Sequence, residues 1–201
     1  MLNIGLTGGL ATGKSGVGRE LESLGCFVIR MDDLGHKVLE PGAEAYLPVV
    51  AEFGAEILNP DGAINRRLLG TRVFTDPGLL KKLNALVHPP VRERAKVLRE
   101  AHVAAHPNAI VVTEAAIMIE TGSHKEYDRL ILVTCRPEQQ IERAMQRDGL
   151  TQEEALSRIG RQMPLEDKRK YANYIIDTSG TKESTQQQTR TVYEVLCKLT
   201  H

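Results

Sequence analysis

The stretch GLTGGLATGKSGVG, residues 5–18, sets the terms on which the rest of the chain is read. Gly8, Gly13, Lys14 and Ser15 fill the pattern G-x-x-x-x-G-K-[ST]. A glycine-rich turn lets backbone N–H groups converge on anionic oxygens without Cβ clashes, at a helix N-terminus whose dipole favours negative charge. Lys14 adds a mobile point charge for the outer phosphates of a nucleotide, and the Ser15 hydroxyl is placed to ligate Mg²⁺. The flanks suit this reading. The apolar run LNIGLT (2–7) predicts a buried strand, and Val17, Leu21 and Leu24 recur at helical spacing with Gly25 placed to end that helix.

Outward from this loop, four more short apolar runs read as strands: CFVI (26–29), AIVVT (109–113), LILVT (130–134) and YIID (174–177). None alternates, which predicts a parallel sheet covered on both faces. Between the second and third runs about eighty residues carry helical patterns, Ala45 to Phe53, Asn65 to Phe74, Asp76 to Val87 and Val91 to Ala105. His88-Pro89-Pro90 is expected to break the last two apart, because proline cannot continue a helix from within. A pair of helices is expected over 137–170, opened by Pro137 and by the capping-box pair Thr151 and Glu154. Their apolar stripes are Ile141, Ala144 and Met145, then Leu156, Ile159 and Met163. Residues 185–200 close the chain, with Val192, Val195, Leu196 and Leu199 on one face.

Composition narrows the function classes. The 201 residues are 41% apolar, enough for a full core, with a formal net charge of zero. No basic field advertises nucleic acid or an acidic membrane, and 4% aromatics without Trp argue against base-stacking modules. Cys26, Cys135 and Cys197 lie far apart with no C-x-x-C, so neither disulfide nor zinc site is expected. There is no signal-peptide pattern and no run of membrane-spanning length, and a cytoplasmic protein is expected.

In open α/β sheets ligands gather at the carboxyl ends of strands. Asp32 and Asp33 follow the second strand, Glu114 the third and Asp177 the last. A carboxylate there could take a proton from an attacking hydroxyl or hold a metal's waters. Of the adjacent pair, one is expected to face the cleft while the other caps the helix LGHKVL; Asp32, nearest the strand, is favoured for the cleft. Arg143 and Arg147 are spaced i, i+4 on one helix, and Arg158 and Arg161 i, i+3 on the next. Two such helices resemble a lid that brings guanidinium charge to a transferring group, though acids nearly balance bases here and a solvated face reads equally well. His88, beside its prolines, is as readily a core or capping residue as a ligand contact. His36 and His124 read as surface residues.

Taken in order, LTGGLATGKS, VIRMDDLGHKVLEPG, LNALVHPPV, IERAMQRDGLTQEEALSRIGRQM and KRKYANYIIDTSGT resemble the dephospho-coenzyme A kinase family over nearly the whole chain. The resemblance implies ATP-dependent phosphorylation of the ribose 3′-hydroxyl of dephospho-CoA, the last step of coenzyme A biosynthesis. It implies a three-layer α/β P-loop kinase fold: a five-stranded parallel sheet, a helical acceptor lobe and a helical lid. The core would be 1–33, 107–146 and 171–201, the lobe 34–106 and the lid 147–170. ATP would be held by Gly9, Ala11, Thr12, Gly13, Lys14, Ser15 and Gly16, with Arg147 and Arg161 from the lid and Gly180 from DTSGT near the adenine. Asp32 would be the base, and Lys14 and Arg143 would neutralise the transferring phosphate. Thr7, Asp32, Leu83, His88, Pro89 and Glu114 would line the acceptor side, and Ser15 would ligate Mg²⁺. No nucleic acid or membrane partner is implied, and a monomer or weak homo-oligomer is expected.

Three departures from the family pattern are visible. Arg30-Met31-Asp32 stands where Asp-x-Asp is usual, leaving Asp33 as a competing neighbour. EAAIMIE replaces the usual Pro-Leu-Leu-Phe-Glu segment, with Glu114 leading it and Glu120 at the closing acid. Gly16 follows Ser15 where Thr is common. A nucleoside monophosphate kinase is the alternative within the enzymes. A P-loop switch or transporter ATPase would need N-K-x-D or L-S-G-G-Q, and neither is present.

Overall fold

Leu2, Ile4 and Leu6 alternate along the first strand toward one face, and helices must cover what that face exposes. In the computed structural model, which describes residues 1–74 and 76–200, the chain runs β1 (Leu2–Gly8), α1 (Lys14–Ser23), β2 (Phe27–Arg30), α2 (Met31–Lys37), α3 (Tyr46–Phe53), α4 (Arg66–Phe74) and α5 (Pro77–Ala105). It continues through β3 (Ile110–Glu114), β4 (Arg129–Thr134), α6 (Pro137–Asp148), α7 (Gln152–Ile159), α8 (Leu165–Lys168), β5 (Tyr174–Asp177) and α9 (Lys182–Lys198). The chain divides into two compact units, Met1–Arg30 with Ala101–His201, and Met31–Glu100.

The first unit holds a five-stranded sheet of order β2-β3-β1-β4-β5, with every pair parallel. β1 is central. The chain leaves it on one side for β2 and β3 and returns on the other for β4 and β5, so the C-terminal end of β1 is a topological switch point. One face packs β-strand side chains Ile4, Leu6, Val112, Ile131 and Val133 against Val17 and Leu21 of α1 and Val192 and Leu196 of α9. On the other side Met118, Ile119 and Leu130 form a smaller cluster with Tyr127 and Met163. The expectation of full cover fails at the edge: Ile175 of β5 is 38% exposed, because an end strand has a neighbour on one side only. Cys26 and Cys135 are buried free thiols, and burial, then Cys197, pushes the Cys26 thiol up to about 12.

Several local predictions hold. Gly25 follows the C-cap Leu24 of α1 with a φ of 103°. The helix expected from Asn65 to Phe74 is α4, and the Asn65 Oδ1 accepts from Arg67 N and Leu68 N at its start. Pro137 starts α6, and Thr151 and Glu154 close a full capping box on α7.

Others need correction. α5 runs unbroken for 29 residues with Pro89 and Pro90 inside it. The prolines lack the N–H groups that would bond the carbonyls of Ala85 and Leu86, but the long helical stretches on either side keep their own bonds, and Val91 and Ala95 are buried. α2 begins at Met31, so Asp33 does not cap a helix starting at Leu34; it lies with Asp32 in the first turn, where the helix dipole favours both carboxylates. The stripes are narrower than read. In α7 Ala155 is buried and Leu156 is 48% exposed, and in α9 Val195 and Leu199 are exposed, Thr189 taking a buried place instead. His124 is half-buried, edge-on to Tyr171.

The second unit has its own apolar core, with Val38, Val49, Phe53, Ile57, Leu69 and Val73 buried. Leu58 and Ile64 form an isolated antiparallel bridge within it, and Arg94–Glu44, Arg72–Glu56 and Lys82–Glu52 pair on its surface.

Candidate active site

The loop between β1 and α1 turns on residues that must adopt left-handed backbone. Gly13 takes φ 85° as the N-cap of α1, and Ala11 holds φ 56°. A non-glycine residue there is uncommon and costs energy that the surroundings must offset. They do so by gripping the loop from outside. Gln140 Nε2 of α6 donates to Leu10 O at 2.8 Å, and Leu10 N donates to Gln162 Oε1 at 2.8 Å. Thr12 Oγ1 donates to Gly9 O at 3.1 Å. Lys14 and Ser15 N–H have no i−4 partners within α1, the feature that makes a helix N-terminus a site for an anion, while Gly16 N closes onto Gly13 O at 2.9 Å.

Lys14 and Ser15 open α1, and both side chains meet Glu114 at the end of β3. Lys14 Nζ and Ser15 Oγ each donate to Glu114 Oε1 at 2.7 Å. Lys14 and Glu114 are both buried. Glu114 Oε2 accepts no hydrogen bond among the described residues, and Arg30 Nε lies 3.8 Å from it. A Cβ on Gly18 would fall 2.8 Å from that oxygen, so glycine in α1 makes room for the carboxylate. Glu114, at the end of β3, thus contacts both side chains that open α1. Its neighbouring hydroxyl and carboxylate are hard oxygen donors suited to Mg²⁺, which takes few protein ligands and completes its shell with water and phosphate oxygens.

Arg143 of α6 turns toward the loop through Thr178. Its Nη1 donates to Thr178 Oγ1 at 2.9 Å and its Nη2 to Thr178 O at 2.8 Å. The Thr178 hydroxyl donates in turn to Thr12 O at 2.8 Å. Next to this chain of bonds opens a pocket of about 440 Å³, lined among others by Gly13, Gly16, Arg19, Arg143, Gly180 and Thr181. Its position against the loop and its size suit a nucleobase and sugar. Asp177 shapes its rim, Oδ1 accepting from Ser179 N and Ser179 Oγ at 2.9 and 2.7 Å.

The remaining sequence candidates have these surroundings. Thr7 is fully buried, its hydroxyl donating to Ala116 O at 3.3 Å. Arg147 is exposed and bonds its neighbour Asp148 through Nε at 2.8 Å. Arg161 is exposed just beyond α7. In the second unit Asp32 is exposed at the start of α2, which continues β2 without a break. Leu83 and His88 are half-buried on α5 and Pro89 is exposed. Burial, then the charge of Arg92, holds His88 below the usual histidine range. Among the described residues no cluster of three or more His, Cys, Asp or Glu could hold a metal by itself, and no helix is long and apolar enough to cross a membrane.

Three residues at the loop had no prediction. They are Gln140, Gln162 and Lys168, the last one charge in the run EDKRK. Lys168 is 0% exposed. Nothing in local periodicity marks such residues, because packing between distant segments decides their burial.

Comparison with known proteins agrees in every direction. A family model described as dephospho-CoA kinase matches residues 2–184. A dephospho-CoA kinase of Syntrophus aciditrophicus is 42% identical over 198 residues, covering 98% of this chain and 84% of the relative. A solved Thermus thermophilus structure superposes with a TM-score of 0.79 at 33% identity, covering 100% of this chain and 98% of the other. The dephospho-CoA kinase of Campylobacter jejuni gives 0.70 at 28% identity, with 99% and 98% covered.

Proposed function

The chain belongs to the dephospho-CoA kinase family, and from that premise we propose the roles its residues take in moving a phosphate from ATP to dephospho-CoA. The enzyme is a P-loop kinase that phosphorylates dephospho-CoA at the ribose 3′-hydroxyl, the closing step of coenzyme A biosynthesis. The observation that carries the site assignment is the convergence of Lys14, Ser15 and buried Glu114 at the loop, beside a pocket of nucleotide size.

ATP phosphates lie on the N–H groups of residues 9–16, with the nucleoside in the pocket by Gly180 and Thr181. Lys14 exchanges its carboxylate partner for phosphate oxygens. Arg143, linked to the loop through Thr178, supplies the second positive charge. Phosphoryl transfer needs little covalent help from the protein, so catalysis here is positioning and charge stabilisation. The Ser15 hydroxyl would hold Mg²⁺ with Glu114 beside it, and the ion would neutralise charge on the outer phosphates. Asp32 takes the proton of the acceptor hydroxyl, and Asp33 is the competing carboxylate. Leu83, His88 and Pro89 of α5 line the acceptor side, and Thr7, buried behind the loop, supports it without touching ligand. Arg147 and Arg161 belong to a lid over 147–170, which in sequence falls between the core segments 107–146 and 171–201. The protein works in the cytoplasm as a monomer or weak homo-oligomer.

The test is an acceptor panel with ATP and Mg²⁺, with products identified by mass spectrometry. Dephospho-CoA should yield coenzyme A, and nucleoside monophosphates should react at least about 100-fold more slowly, since a pocket built for one acceptor leaves polar groups unpaired against another. Failure to form coenzyme A would overturn the reading.

A further inference from the structure

Lys168 is the most deeply buried charge in the first unit, and nothing in the roles above uses it. Its side chain is 0% exposed. Its ammonium donates to Gly8 O at 3.3 Å and to Ala116 O at 3.0 Å, and it pairs with Glu120 Oε1 at 2.9 Å. A buried ion pair is a poor way to add stability, because desolvation consumes most of the attraction and an apolar side chain of equal size often does as well. What the ammonium does add is direction, since its two carbonyl acceptors and its carboxylate partner must stand at fixed places.

Those acceptors are informative. Gly8 is the first residue of the phosphate-loop pattern, and Ala116 O also receives the Thr7 hydroxyl. Lys168 itself ends α8, on the limb that returns from the α6–α7 hairpin bearing Arg143, Arg147, Arg158 and Arg161. The same limb holds the loop once more, Gln162 accepting from Leu10 N, and Met163 N donates at 3.0 Å to Glu120 Oε1, the oxygen that Lys168 pairs with. With Gln140 on Leu10 O, both polar atoms of one loop residue are held, one from each limb of the hairpin.

We infer that Lys168 is a positioning residue for phosphoryl transfer, fastening the returning limb of the arginine-bearing hairpin to the first residue of the phosphate loop so that the two keep one relative geometry. The inference rests on the phosphate-loop reading above. A small misplacement of a loop that positions reacting phosphates costs rate far out of proportion to the distance moved.

The test compares Lys168→Met, Lys168→Arg and Gln162→Met in the full-length enzyme. Steady-state kinetics should be measured together with hydrogen exchange of peptides covering residues 8–16 and 174–198. Folded Lys168→Met should lose about 10- to 100-fold in kcat with KM for dephospho-CoA within about threefold. Exchange should quicken in 8–16 and stay unchanged in 174–198, whereas a merely structural lysine would loosen both or neither. Lys168→Arg, which keeps a cation, should recover most of kcat. If Lys168→Met does not fold, Gln162→Met decides, with faster loop exchange and a several-fold lower kcat expected. Wild-type kcat and loop exchange in folded Lys168→Met, or in Gln162→Met where the former does not fold, would overturn the inference. A wild-type enzyme that made no coenzyme A would instead defeat the functional reading, and the exchange comparison would still stand.

Discussion

One oxygen, Oε1 of Glu114, receives both the Lys14 ammonium and the Ser15 hydroxyl, each at 2.7 Å. The two loop side chains that a nucleotide and its metal would need are thus held by a buried carboxylate at the end of the neighbouring strand. Glu114→Gln keeps the acceptor shape and removes the charge. It should raise the Mg²⁺ concentration needed for half-maximal rate by about 10- to 100-fold, the scale for groups that orient metal ligands. A Mg²⁺ titration of initial rate measures this, and an unchanged midpoint would separate Glu114 from the metal.

Lys14→Ala should lower kcat by about 10²–10³, the scale for losing one donor to the transition state. It also leaves Glu114 buried without its main partner, a loss of roughly 3–5 kcal/mol for a broken buried pair. Adding Glu114→Gln should restore much of the stability and none of the rate. Urea unfolding and kinetics on the single and double variants check both halves.

Pro89 is exposed inside α5, where a proline removes a helix bond and costs about 3 kcal/mol against alanine. Pro89→Ala should therefore stabilise the protein by about 1–3 kcal/mol, part of the cost being relaxed already. Urea unfolding reads the change. A loss of stability would mean that the local shape set by the proline is needed for packing.

His88 is held below its ordinary value by burial and by Arg92, so the unfolded chain binds its proton more readily than the folded one. Stability from this group is complete above the ordinary value near 6.5 and falls as pH drops through it. His88→Gln should flatten the decline in unfolding free energy between pH 7 and about pH 5. Parallel urea melts across that range give the comparison.

Much of the frame was legible because it is locally encoded. The glycine loop, the capping box of Thr151 and Glu154, Pro137 and the four unalternating runs each carry their physics within a few residues. The unbroken α5 was hidden because helix continuation through Pro89-Pro90 depends on long flanks and on burial of Val91 and Ala95, which a local breaker rule does not weigh. At the site, Lys14 and Ser15 were legible from spacing, whereas Glu114's grip on both required the pairing of β1 with β3, which sets Leu6 opposite Glu114. Lys168, Gln140 and Gln162 were illegible for the same reason: contacts across more than a hundred residues bury them or occupy their polar atoms.

The central claim is that the loop holds ATP while a carboxylate after β2 activates the acceptor. The most direct test is kcat and ATP-analogue affinity of Asp32→Asn beside Asp33→Asn. Asp32→Asn should lose about 10²–10⁴-fold in kcat, the range for a positioned general base, with analogue affinity within about twofold and Asp33→Asn close to wild type. Near wild-type turnover in Asp32→Asn would contradict the account.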